Sequence, residues 1–318
     1  MNPEKLFFDA SAGEGCRIAA FFSPCKGEAK GLIQICHGMA DYFGRYAHMV
    51  DVFNEAGWHV CGMDMMGHGD TYGLNKDKDM PLGFFGSCRD SAMCILKDEM
   101  KLHSILMERP ELKDLPQVLL GHSMGSFIAR NIFITPDYSS AFDGFIFCST
   151  MGPEPMAGFG IFLARIASVF GMKRRPGKLL DQISFGTYNK RIKDRKTDFD
   201  WVCSDEKVVA EYCADDLAGF SFTCKGFMDL FILVDRMQKR SSYENLPDKP
   251  CFMSYAMEDP VAGYGKGAQT VADKLIAAGT DVTVRNYGNV RHEIHNESVK
   301  EELFGDILKF CENKVLRG

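Results

Sequence analysis

At 318 residues the chain exceeds a typical single domain, and one large α/β domain carrying an insertion fits that length as well as two domains do. With 46% hydrophobic and 25% charged residues it can bury a large core, which argues against a disordered chain. A formal charge of −6 argues against a nucleic-acid partner, which would usually leave a basic surplus.

The opening residues, MNPEKLFFDASAGEG, are polar and acidic where a secretory leader needs a long apolar stretch, so a cytoplasmic location is expected. Residues 6–8 and 17–22 read as an antiparallel hairpin at a sheet edge, joined through Gly13-Glu14-Gly15. Short β-rich apolar runs at 32–36, 60–63, 118–120 and 145–148 then alternate with helical patterns at 46–55, 90–107 and 124–133. That order predicts an α/β fold: a mostly parallel central sheet with helices on both faces. Residues 151–223 break the alternation with an apolar helix, the basic run Lys173-Arg174-Arg175 and a polar stretch. They read as an inserted lid above the C-terminal edge of the sheet, where open α/β sheets bind ligands. The pattern resumes with strands at 251–255 and 282–287 and helices at 267–278 and 298–313, which assigns 1–150 and 224–318 to the core.

The longest lipophilic stretch, 156–172, is interrupted by Gly158, Gly160 and Arg165 and is short for a membrane span. The twelve cysteines include no CxxC pair, and several, such as Cys36, Cys61 and Cys148, sit in apolar runs and read as small core hydrophobes.

The chemistry starts at Val118-Leu119-Leu120-Gly121-His122-Ser123-Met124-Gly125, a strand running into GxSxG and then a helix. This is the context of a nucleophile elbow: the serine stands on a strained turn, and glycine on either side lets strand and helix approach. A serine hydroxyl is a weak nucleophile and needs a base, which in turn needs a carboxylate to orient it. Behind such an elbow the order is serine, acid, histidine. Only His292 and His295 lie downstream of Ser123, and His292 follows the last expected strand. It is therefore the expected base, with His295 a surface or supporting histidine. Glu258 and Asp259 follow the strand at 251–255; Asp259 is favoured because Pro260 fixes the turn beyond it, with Glu258 in reserve. The oxyanion of the intermediate needs two backbone N–H donors, expected from Met124 and, after the strand ending His37-Gly38, from Met39. His37 precedes the serine and reads as a buttress of that loop. The run from Asp64 to Asp70 combines Asp, His and Asp in one tight loop; without a second cluster it reads as a glycine-shaped loop beside the site, and no metal is expected. No phosphate loop or dinucleotide fingerprint occurs, and no cofactor is expected.

The segments HGMADYFGRY, DMMGHGD, GHSMG, EDPVAGYGKG and NVRHEIHNE, spread over most of the chain, resemble the monoacylglycerol lipase and lysophospholipase branch of the α/β-hydrolases, sometimes filed with serine aminopeptidases. The resemblance implies a Ser123–Asp259–His292 triad, an oxyanion hole at Met39 and Met124, and a lid over an acyl pocket. Asp41-Tyr42 stands where that group often has Glu-His, and Thr71 where it often has Ser; both bear on substrate preference.

Met156, Phe159, Phe162, Ile166 and Phe170 make an apolar surface wider than one buried helix face needs, and Phe159, Phe162 and Ile166 are the expected substrate-binding residues. An acyl chain or a transient membrane-surface contact could use it, and the basic run could meet a lipid phosphate or simply form a solvated helix end. The expected substrate is a small ester, above all a monoacyl lipid. The same triad serves a serine aminopeptidase, with Asp215 and Asp216 holding the amine, or a thioesterase or acyltransferase. From another class, a catalytically silent binding module would keep the fold, but every triad position is filled.

Overall fold

The computed structural model describes residues 3–13 and 15–317; Glu14, in the expected hairpin turn, lies outside the described residues. Among these, eight strands form one sheet: β1 (Glu4–Asp9), β2 (Arg17–Ser23), β3 (Gly31–Cys36), β4 (Trp58–Asp64), β5 (Gln117–His122), β6 (Gly144–Cys148), β7 (Cys251–Tyr255) and β8 (Val282–Asn286). Their order is β1-β2-β4-β3-β5-β6-β7-β8. The β1–β2 and β2–β4 pairs are antiparallel, and every pair from β4 to β8 is parallel. The expected edge hairpin and parallel centre are both present.

The helices are α1 (Ala47–Glu55), α2 (Gly69–Leu74), α3 (Ser91–Met107), α4 (Met124–Phe133), α5 (Pro136–Ser139), α6 (Ala157–Val169), α7 (Lys178–Phe185), α8 (Glu206–Ala214), α9 (Cys224–Gln238), α10 (Lys266–Ala277) and α11 (Lys300–Phe310). The central strands β3, β5, β6 and β7 are buried at every position and mostly apolar because both faces are covered. Ile35, Leu120, Ile146 and Phe252 stand in one row across β3, β5, β6 and β7 and pack with α1 and α11. One residue on, Cys36, Phe147 and Met253 face the other way, toward α3, α4 and α9. A strand's side chains alternate by two, so adjacent rows build the two cores.

Between β6 and β7 the chain leaves the sheet and forms α6 to α9. The last of these is a core helix: its buried Lys225 and Asp229 bond Ser91 at the start of α3. Thr223 caps α9 by accepting from the Gly226 N–H at 3.0 Å. Helix α6 lies across α9, and a Cβ at Gly160 would come within 2.7 Å of the Phe231 ring, so the glycine allows the crossing. Among the described residues no helix is long and apolar enough to cross a membrane.

Candidate active site

Strand β5 ends at His122, and the chain reverses sharply into α4. Ser123, at the turn, has φ 53° and ψ −120°, a strained conformation for a residue with a side chain. Its N–H donates to the Cys148 carbonyl at the end of β6 at 3.0 Å, which holds the turn against the sheet. The flanking glycines are required by contact: a Cβ at Gly125 would sit 1.9 Å from the Cys36 carbonyl oxygen, and one at Gly121 2.2 Å from that of Gly125.

His292 lies on the loop after β8. Its Nδ1 is 2.9 Å from Asp259 Oδ1, and Nε2 has no partner among the described residues. Asp259 Oδ1 also accepts from the Val261 N–H at 2.8 Å, so the turn that Pro260 begins aims the carboxylate. Glu258, the reserve acid, is exposed and faces a separate depression. The His292 loop is pinned on two sides: its carbonyl accepts from Ser149 Oγ at 2.7 Å, and the Glu293 N–H donates to Val202 at 2.7 Å.

Ser123 and His292 open into one cavity of about 800 Å³, within the size range of small-molecule sites. Met39 and Met124 line it beside Ser123, and neither of their amides donates a hydrogen bond among the described residues. The walls are mainly apolar and come from the core and from the inserted segment, among them Phe127, Leu163, Phe185 and Phe231.

Behind this rim is a charged network that the sequence pattern does not reveal. Arg45 makes a two-pronged bond to Glu293, both contacts 2.8 Å, and a third bond to Asp41 at 2.9 Å. It therefore ties the loop bearing Met39 to the loop bearing His292. Tyr46 belongs to a tight 3-10 turn, not to the expected helix, and that turn carries its hydroxyl to Asp41 at 2.7 Å and His122 Nδ1 at 3.0 Å. Burial would raise the Asp41 carboxyl, but Arg45 and the nearby histidines hold it at about 2. Burial depresses Arg45 too, and Glu293 and Asp41 more than offset it. Burial, then the neighbouring His292, pushes His122 down to about 4, so it is neutral at pH 7. The only local signal is the helical i, i+4 spacing of Asp41 and Arg45.

Other expectations can be placed. His295 is buried, stacked on Tyr46 with ring centroids 4.9 Å apart and edge-on to His122 at 4.5 Å; it supports the site and is not at the surface. His37 Nε2 accepts from the Met65 N–H at 3.1 Å, and its Nδ1 is 2.8 Å from the Gly38 carbonyl, bracing the loop that carries Met39. Asp64 accepts from the Phe43 and Asp70 N–H groups, so its carboxylate is consumed in shaping the loop. Asp215 and Asp216 do not line the cavity; Asp215 accepts from the Tyr42 hydroxyl at 2.8 Å. Of the three residues expected to bind substrate, Phe159 lines the cavity, whereas Phe162 and Ile166 lie outside it. Leu163 lines it in their place. Helix α6 is apolar except at Arg165 and Ser168, with large apolar groups on more than one side, so its period could not show which side turns inward.

The geometry is that of a hydroxyl, an oriented imidazole and two free amides converging on an apolar cavity, a set able to carry acyl transfer.

The sequence profile of the serine aminopeptidase S33 family matches residues 27–299. A monoacylglycerol lipase of Mycolicibacterium smegmatis is 26% identical over 290 residues, covering 89% of this chain and 88% of that protein. The human monoglyceride lipase is 24% identical over 287 residues, covering 88% and 82%. Among solved structures, a thermostable carboxyl esterase from Bacillus coagulans in complex with glycerol superposes with a TM-score of 0.90 at 28% identity, covering 99% of each chain. A monoglyceride lipase variant of Saccharomyces cerevisiae, at TM-score 0.73 and 16% identity over 98% and 95%, shares the fold. The chain belongs to the serine aminopeptidase S33 family of α/β-hydrolases and is a serine hydrolase of the carboxylesterase and lipase type.

Proposed function

We propose that the protein hydrolyses monoacyl lipid esters, monoacylglycerol or lysophospholipid, through an acyl-enzyme on Ser123. His292 Nε2 takes the hydroxyl proton as Oγ bonds the ester carbonyl carbon, and Asp259 holds the imidazole in the tautomer that leaves Nε2 free. The amides of Met39 and Met124 receive the oxyanion. His292 then gives its proton to the departing alcohol, and a water attacks the acyl-enzyme by the same route. Residues 151–223 act as a lid whose inner side receives the acyl chain.

The observation that carries this reading is the cavity: a mostly apolar space of about 800 Å³ with Ser123 and His292 on its wall and His292 bonded to Asp259. The names of the bacterial and human relatives support a monoacyl substrate. A fluorophosphonate probe tests the nucleophile: the protein should take up one label, lost in Ser123→Ala. Labelling that persists in that variant, or no labelling of the wild type, would remove Ser123 from the reaction.

A further inference from the structure

Two of the twelve cysteines face each other away from the cavity: the sulfurs of Cys88 and Cys94 are 3.6 Å apart. Cys94 is buried near the start of α3, and its thiol donates to the Ser11 carbonyl at 3.5 Å, which fixes the side chain. Cys88 is half-buried on the loop before that helix and is the thiol more open to solvent. Burial, then the neighbouring Cys88, pushes the Cys94 thiol up and keeps it protonated. An oxidant arriving from solvent therefore meets Cys88 first, with a second sulfur waiting behind it. A disulfide spans about 2.05 Å, so the two sulfurs need to close by about 1.5 Å. Cys88 belongs to no helix or strand, and its loop can supply that movement.

The same loop grips the inserted segment at two points. Ser87 Oγ, next to Cys88 in the chain, accepts from the Arg174 guanidinium at 3.0 Å, and that cation lies over the Phe84 ring. The Gly83 carbonyl accepts from the Thr223 hydroxyl at 3.1 Å and from its N–H at 3.3 Å. We propose that a peroxide joins Cys88 and Cys94 in a reversible disulfide, which draws Ser87 away from Arg174 and loosens the inserted segment. The Cys88 sulfur, as thiolate, attacks hydrogen peroxide: an S–O bond forms, the O–O bond breaks, and Cys88 becomes a sulfenic acid as water leaves. The Cys94 sulfur then attacks the sulfenic sulfur, so that the S–S bond forms and the S–O bond breaks. The departing hydroxide takes the Cys94 proton and leaves as water. The two thiols give up two electrons, and the peroxide is reduced to two waters.

The test treats the purified full chain with hydrogen peroxide, alkylates the remaining thiols and maps the peptides by mass spectrometry without reduction. A Cys88–Cys94 cross-link is expected, and dithiothreitol should remove it. Cys94→Ser should stop at the sulfenic acid, which dimedone traps on Cys88. Trypsin should cut beside Lys173 and Arg174 about fivefold faster in the cross-linked chain, the low end of coupling between separate sites. Cys88→Ser should keep the cutting rate of the reduced wild type and show no response to peroxide. No cross-link at a dose that oxidises the exposed Cys213 would overturn the inference. So would a cross-linked chain that trypsin cuts no faster, or faster cutting that persists in Cys88→Ser. On the lipid-ester reading above, the loosened segment should also lower kcat/KM for a long-chain monoacylglycerol. A chain that cross-links yet hydrolyses no lipid when reduced would overturn that reading alone.

Discussion

Phe145 and Phe147 on β6 and Phe162 and Phe170 in the inserted segment are the same residue in opposite circumstances. The first two are fully buried and meet Phe133 of α4 edge to face, at 4.9 and 5.9 Å between centroids. The other two are more than half exposed. The sheet buries most of its apolar groups, and the loops around it spend polar ones on fixing one another, as Arg45 does between the Met39 and His292 loops. The inserted segment leaves apolar groups open on both its sides, one toward the cavity and one toward solvent. Burial of a phenylalanine contributes about 1.5–3 kcal/mol only where a neighbour completes it. On the proposed reading the sheet sets whether the reaction occurs and the inserted segment on what, so the two regions should be separable by mutation.

The largest effect should come from the sheet. Ser123→Ala and His292→Ala are each expected to lower ester turnover by about a millionfold, and the double variant hardly further, because such residues act as a unit. Steady-state rates on an aryl ester check this, and circular dichroism confirms folding. Next is the clamp. Arg45→Met leaves Asp41 and Glu293 buried without their cation and should cost about 3–5 kcal/mol of stability in urea unfolding. Adding Asp41→Asn and Glu293→Gln should recover much of that loss. A variant as stable as wild type would show that the loops are held otherwise.

An effect of similar size, spread over pH, lies beneath β3. Burial raises Glu99 from 4.5 to about 8, against the bond from Gln34 Nε2 at 2.7 Å. The folded chain thus keeps a proton that the unfolded chain gives up near pH 4.5. The stability this lends is full below that pH and is lost as pH rises toward 8, by at most about 1.4 kcal/mol per unit. Urea unfolding across this window should show a downward slope that Glu99→Gln removes. Smallest is the division within α6. Phe159→Ser should blunt the preference for long acyl chains by a few-fold, since one ring leaves the cavity wall, and leave an acetyl ester untouched. Phe162→Ser, outside the cavity, should change neither for substrates in solution. Equal effects of the two would erase the distinction between the inner and outer sides of the helix.

What the sequence disclosed follows the same division. The strands were legible because burial on both faces demands mostly apolar runs, and the elbow because Gly121 and Gly125 answer to contacts that no other residue tolerates. Where two carboxylates stood side by side, Pro260 pointed to Asp259, and it is Asp259 that meets His292. Arg45 and Glu293 were not legible, since their bond joins residues 248 apart and neither stands in a motif that demands a partner. Nor was the inward side of α6, where glycine, alanine and large apolar groups surround the helix and periodicity gives no direction. His295 was left between surface and supporting positions because a histidine near a catalytic loop gives no sign of depth; the stack on Tyr46 decides for support.

The most direct test of the account is kcat/KM of the purified protein on monoacylglycerols whose acyl chains run from four to sixteen carbons, set against aminoacyl amides. Each methylene that enters the cavity should add about 0.8 kcal/mol of transition-state binding at most, so the account predicts a rise with chain length that levels off when the cavity is full. The aminoacyl amides should turn over far more slowly than any of these esters. A kcat/KM independent of chain length, or an aminoacyl amide that outcompetes every ester, would contradict it.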